Sequence, residues 1–150
     1  MKKRIVCYYT NWSQYRDGKA KFLPENIDPT LFTHIIYAFA KLNSNQLAPT
    51  EWNDESTEWS KGNFERVTEL KKKNPSLKVL LAVGGWNMGV EEFKTLVSSD
   101  ALIDSFVATS ISFLKQRNFD GLDLDWEFPD TATRDRFTVL CQKLSVVFKK

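Results

Sequence analysis

The chain has 150 residues, 42% of them hydrophobic and 27% charged, the proportions of one globular domain of ordinary size. Its 21 Lys and Arg against 19 Asp and Glu leave a formal net charge of only +2, which argues against nucleic acid or a polybasic membrane surface as partner. The longest largely apolar stretch, Leu31 to Phe39, is too short to cross a bilayer, no apolar signal segment is read after Met1-Lys2-Lys3-Arg4, and two cysteines, Cys7 and Cys141, exclude a disulfide-built scaffold.

In chain order, Arg4 to Thr10 reads as a strand, rich in β-branched and aromatic residues. A polar segment, Asn11 to Lys21, leads to Pro24–Pro29, which reads as a short irregular helix. Thr33 to Ala40 is a second strand, apolar enough to be buried on both faces. Lys41 to Lys61 is expected to be a polar loop carrying Trp52 and Trp59. Asn63 to Lys73 places Phe64, Val67 and Leu70 at helical spacing, and Asn74-Pro75 stops that helix.

The third strand, Leu77 to Val83, ends at Gly84-Gly85. Glu91 to Val97 and Asp100 to Arg117 read as helices, the second capped by Asp100, with Leu102, Phe106, Ile111 and Leu114 toward the core. Phe119 to Trp126 is the fourth strand. Thr133 to Phe148 is the last helix, its stripe formed by Phe137, Leu140, Leu144 and Val147-Phe148. Four successive strand–helix units predict an α/β fold with a parallel sheet and right-handed crossovers. Pattern alone leaves open whether that sheet stays open or closes into a barrel.

The chemistry concentrates in Phe119-Asp120-Gly121-Leu122-Asp123-Leu124-Asp125-Trp126-Glu127-Phe128-Pro129. Side chains alternate along a strand, so Leu122, Leu124 and Trp126 face a helix layer while Asp123, Asp125 and Glu127 form one row, roughly 6 to 7 Å apart in pairs. Three carboxylates in a row repel one another, and a fold needing only stability would place Val or Ile there. Mutual repulsion raises the pKa of at least one member, which suits an acid that protonates a leaving oxygen. Glu127, last in the row, is best placed to meet a substrate. Asp120 falls on the other face, where capping or a backbone hydrogen bond is expected. The alternatives are a solvated acidic edge, or a hard-cation site built from Asp-x-Asp-x-Glu. The lone His34 reads as a satisfied core residue and offers no imidazole support for a transition metal.

Two further features accompany the row. Gly84-Gly85 lets a ligand or another strand approach the backbone closely, and Trp86 beyond it presents a flat apolar face. Aromatics recur at the strand ends: Tyr8-Tyr9 with Trp12, Tyr37 with Phe39, Trp86, and Trp126 with Phe128. Sugar rings have apolar faces that stack on such surfaces, so aromatics beside carboxylates suit a saccharide site.

The segment Asp120-Gly121-Leu122-Asp123-Leu124-Asp125-Trp126-Glu127 resembles the signature of family 18 glycoside hydrolases, the chitinases and chitinase-like lectins. Cys7-Tyr8-Tyr9-Thr10-Asn11-Trp12, Thr33-His34-Ile35-Ile36-Tyr37-Ala38-Phe39, Ala82-Val83-Gly84-Gly85-Trp86-Asn87-Met88-Gly89 and Phe137-Thr138-Val139-Leu140 are similar to animal members of that family. The resemblance implies that residues 1–150 are the first four units, one half, of a TIM (β/α)8 barrel. It implies Glu127 as general acid, Asp125 as the residue orienting a substrate acetamido group, and Asp123 as its proton-exchange partner. It implies Tyr8, Phe39, Trp86 and Asn87 around a central sugar subsite, with Trp12 stacking further along the cleft. Chitin or chitooligosaccharides are the implied ligands, with no cofactor or metal, and secretion the implied destination.

Departures from the family pattern qualify the expectation. The usual partner of the first-strand cysteine is replaced by Phe32, so Cys7 lacks that bridge. A (β/α)8 barrel needs about 250 residues, and strands five to eight, with a Tyr and a Trp of the family site, lie outside these four units. The remainder of the site would come from a C-terminal half or from a second copy pairing as a homodimer. A non-catalytic module that binds chitooligosaccharides and a purely structural half barrel are the alternatives.

Overall fold

The computed structural model describes residues 3–149. In chain order the strands are β1 (Val6–Thr10), β2 (His34–Asn43), β3 (Gln46–Ala48), β4 (Lys78–Gly84) and β5 (Gly121–Asp125). The helices are α1 (Asn63–Thr68), extended by a 3-10 turn over Glu69–Lys72, then α2 (Glu91–Leu96), α3 (Asp100–Gln116) and α4 (Arg134–Phe148). Strands β1, β2, β4 and β5 lie side by side in that order, all parallel, with helical segments filling each crossover. This is the expected four-unit βα repeat. Parallel neighbours cannot be joined by a tight turn, so every connection carries helix.

One strand was not expected. The polar loop assigned to Lys41–Lys61 begins with a hairpin, because β2 runs on to Asn43 and pairs antiparallel with β3. Ser44 and Asn45 both take positive φ, 51° and 61°, the geometry of a two-residue hairpin turn whose twist suits its strands. Leu42 and Leu47, opposite each other across that hairpin, are buried and drive the pairing.

The sheet separates two apolar layers. Alternation sends Ile35, Tyr37, Val79, Leu81 and Val83 outward into the main core, against Phe64, Phe93, Phe106 and Leu140 from the helices. Ile36, Ala38 and Ala82 point inward, with Phe39 and Leu80 against them, as a small second cluster. Each fully buried Leu, Ile or Phe contributes about 1.5–3 kcal/mol, so the outer core carries most of the stability. The inner face is left for other work.

The helices differ from expectation in detail. Ser99, not Asp100, caps α3, its hydroxyl accepting from the Leu102 amide at 3.2 Å. Asp100 is instead paired with Arg136 of α4 at 2.7 Å. The buried stripe of α3 is Ile103, Phe106, Val107, Ser110 and Leu114, with Leu102 and Ile111 half-buried beside it. On α4, Leu140 and Leu144 are buried, whereas Phe148 is exposed at the helix end.

Candidate active site

The acidic row forms as the alternation requires. Leu122 and Leu124 pack on the outer core, and Trp126 is buried there, stacked on Phe93 with ring centroids 5.0 Å apart and edge-on to Phe137 at 5.6 Å. Asp123 and Asp125 therefore project from the opposite, concave face. Glu127, two residues past the last paired position, reaches the cleft beyond the strand ends. Asp120 lies at the other end of β5 and accepts from the Val79 amide at 2.9 Å while pairing with Lys71 and Lys78, the structural duty expected of it.

Asp123 accepts a hydrogen bond from the Tyr8 phenol at 2.8 Å. Desolvation, reinforced by that carboxylate and by Asp125, pushes the Tyr8 hydroxyl up to about 12, so it stays a donor at any ordinary pH. Partial burial, then the charges of Asp123 and Glu127, raise the carboxyl of Asp125 above the usual aspartate range. The second of those causes is the repulsion expected of the row.

Above the row lies a cleft of about 700 Å³. It brings together Trp12, Phe39, Trp86, Asn87 and Glu127, carried on or just beyond four different strands, β1, β2, β4 and β5. Tyr8, Asp123 and Asp125 are not among the residues that line this cleft; they sit on the concave face of the sheet. Trp12 and Phe39 stack at 5.9 Å, and Trp86 is 74% exposed, its indole face open to a ligand. The remaining strand-end aromatics divide: Tyr9, Tyr37 and Trp126 are core residues, whereas Phe128 is exposed.

Backbone geometry aims these groups. The β2–β4 register shifts between Tyr37 and Ala40, which lets both Ala38 and Phe39 join the concave cluster. The peptide bonds Ala38–Phe39 and Glu127–Phe128 are cis. Gly84 has φ +119° and a Cβ there would stand 2.2 Å from the Asp125 carbonyl oxygen. At Gly85, with φ +79°, a Cβ would stand 2.8 Å from the Phe39 ring. The Gly85 amide donates to that same Asp125 carbonyl at 2.8 Å. The glycine pair thus admits a neighbouring strand and an aromatic ring, as close approach of the backbone demands.

Several cleft residues escaped the sequence reading. Asn11 is buried and donates to the Phe39 carbonyl at 3.1 Å, fixing the middle of β2 against the end of β1. Thr50 and Glu51 form another wall, and Glu51 accepts from the Tyr15 phenol at 2.5 Å. Nothing in the run Pro49-Thr50-Glu51-Trp52 distinguishes it from an ordinary polar loop, since its place depends on tertiary contacts. His34 is half-buried at the start of β2, its Nδ1 2.8 Å from the Thr33 hydroxyl. Cys7 and Cys141 are both free thiols. Among the described residues no cluster of His, Cys, Asp and Glu could hold a metal ion, and no helix is long and apolar enough to cross a membrane.

The model of glycosyl hydrolases family 18 matches residues 4–150. The chain belongs to this family. It is 55% identical over 124 residues to an endochitinase of Brugia malayi, covering 82% of this chain and 25% of that protein. It is 45% identical over 152 aligned positions to chitotriosidase-1 of Mus musculus, covering 98% of this chain and 32% of that one. Among solved structures, human YKL-39, described as a pseudo-chitinase with retained chitooligosaccharide binding, superposes with a TM-score of 0.87 at 40% identity, covering 97% of this chain and 38% of its own. The chain thus spans about a quarter to a third of the length of these curated relatives. Its four parallel units are half of the family's barrel.

Proposed function

We propose that residues 1–150 form the first half of a chitinase-type catalytic domain that cleaves β-1,4 bonds between N-acetylglucosamine units, the rest of the barrel completing the site. The observation that carries this reading is the place of Glu127: a carboxyl in an aromatic-walled cleft, at the end of a strand whose concave face holds Asp125 and Asp123. Glu127 protonates the glycosidic oxygen as the bond from the anomeric carbon to that oxygen breaks. The substrate's own acetamido carbonyl oxygen attacks the anomeric carbon and gives an oxazolinium ion, with no covalent bond to the protein. Asp125, inclined to hold a proton, orients the acetamido group and exchanges that proton with Asp123. Water then opens the oxazolinium from the same face as the departed group, giving its proton to Glu127, so configuration is retained.

Phe39, Trp86 and Asn87 would border the central sugar ring and Trp12 the next ring along, since apolar sugar faces match flat aromatic surfaces. Tyr8 would tune the row through Asp123. Glu127→Gln in a chain carrying the complete barrel is expected to abolish hydrolysis of a fluorogenic chitobioside while chitooligosaccharide binding persists. Unchanged turnover would overturn the assignment of the acid.

A second reading is favoured by the likeness to YKL-39, described as binding chitooligosaccharides without being a chitinase. In that case this half is a saccharide-binding surface, and product release is absent although binding is measurable. Strands β1 and β5 each have one parallel neighbour among the described residues, so a second copy could also cover the open edges. Sedimentation of the 150-residue chain distinguishes such pairing from a monomer.

A further inference from the structure

Among the described residues, the one aspartate with no surface exposure lies outside the acidic row. Asp54 is 0% exposed, in the segment that follows β3. A carboxylate removed from water persists only where hydrogen bonds replace its hydration. Three donors do so: the Tyr37 phenol on β2 meets Oδ1, and the amides of Thr50 and Glu51 meet Oδ2 at 2.9 and 2.8 Å. Burial pushes its carboxyl above the usual range, against the pull of those donors.

The partners divide between core and cleft. Tyr37 is wholly buried, edge-on to Phe64 of α1 at 5.1 Å. Thr50 and Glu51, in contrast, are cleft-wall residues, and Glu51 also receives the Tyr15 phenol. Behind Asp54 the segment is tied to the start of α1, the Phe64 amide donating to the Asp54 carbonyl at 3.0 Å. Glu55 is gripped by Arg117 at 2.7 Å, whose guanidinium lies 3.6 Å over the Phe113 ring. The segment is anchored on the helix layer, and Asp54 transmits that anchorage to the cleft.

We infer that Asp54 is a positioning residue for the saccharide cleft, fixing the Thr50–Glu51 wall against the immobile Tyr37 of the core. The inference rests on the saccharide reading above and assigns the buried carboxylate to ligand binding rather than to holding the fold. Asn at this position keeps an Oδ1 that accepts both amides, with its Nδ2 turned to the Tyr37 oxygen. Leu fills the same space and accepts nothing.

The test uses Asp54→Asn and Asp54→Leu, read by amide hydrogen exchange in the 150-residue chain and by calorimetric titration of a chain carrying the complete barrel with the N-acetylglucosamine tetramer. Asp54→Leu is expected to speed exchange at Thr50 and Glu51 by about tenfold or more and to weaken tetramer binding by about fivefold, leaving β2 and β4 protected. Asp54→Asn is expected to stay within about twofold of wild type on both readouts, since its acceptor is retained. Should Asp54→Leu fail to fold, Asp54→Ala, which admits water to the site, replaces it with the same expectations. Unaltered exchange at Thr50 and Glu51 overturns the inference, as does uniformly faster exchange across β2 and β4 that Asn does not rescue. If a chain carrying the complete barrel binds no tetramer, the saccharide reading fails, while the exchange pattern still decides whether Asp54 holds the wall.

Discussion

The Tyr8 phenol donates to Asp123 at 2.8 Å, joining the two outermost parallel strands of the sheet. Three strand spacings in a flat sheet would separate those edges by about 14 Å, beyond the reach of a tyrosine and an aspartate. The sheet is therefore curled, and the bond spans its concave side. The same contact supplies one carboxylate of the row with a hydrogen bond that does not require a substrate.

Tyr8→Phe removes this contact and nothing else. Because Tyr8 is 48% exposed, solvent replaces much of the lost interaction. A destabilisation of roughly 0.5 kcal/mol is expected, at the low end for one hydrogen bond. Urea unfolding with an unchanged slope measures it, and a stability equal to wild type would show that the bond contributes nothing to the curl.

Asp125→Asn should stabilise the chain at neutral pH. The folded-state pKa of Asp125 lies above its unfolded value through desolvation and the charges of Asp123 and Glu127. Its favourable contribution is therefore complete below the ordinary aspartate range, about 4, and is lost as pH rises through the raised folded value. The advantage of the Asn variant is present at pH 7 and closes on acidification. Denaturant midpoints at pH 7 and below about pH 4 check the sign, and a gap that widens in acid would contradict it.

Trp126 and Trp86 predict opposite profiles. Trp126→Ala empties the site between Phe93 and Phe137 and should cost about 3–5 kcal/mol. Trp86→Ala, at an exposed position, should change stability by no more than about 0.5 kcal/mol. It should weaken chitooligosaccharide binding by about fivefold, the scale of one aromatic contact. Thermal unfolding and titration calorimetry on both variants separate the roles.

Gly84→Ala places a methyl group 2.2 Å from the Asp125 carbonyl oxygen at a φ of +119°. Either β4 and β5 part or the Gly85–Asp125 hydrogen bond breaks, at a cost of about 2 kcal/mol or more. Calorimetric unfolding should show it. Exchange of the Gly85 amide should rise with it, because that amide donates to the displaced carbonyl.

Much of this was legible in one dimension. Alternation alone divided Leu122, Leu124 and Trp126 from Asp123, Asp125 and Glu127, because a strand offers only two faces and hydrophobicity labels one of them. Strand–helix recurrence predicted the parallel order, since parallel neighbours require long crossovers. Local turn chemistry was less visible: Ser44-Asn45 carries the hairpin signal only between Leu42 and Leu47, whose alternation was hidden in a polar stretch. The α3 cap moved by one residue, because Ser99 and Asp100 compete for a position that backbone geometry settles.

The row, the glycine pair and the aromatic inventory are written in the residue order alone, since each depends on neighbours within a few residues. Which aromatics face the cleft and which fill the core emerges only on folding, because Trp86 and Trp126 are chemically alike and differ in what packs against them. Folding likewise buries Asp54 and brings it donors from Tyr37 on one side and from Thr50 and Glu51 on the other. A buried charge is located by its partners. Tyr37 lies seventeen residues away along the chain, and no local periodicity records that contact.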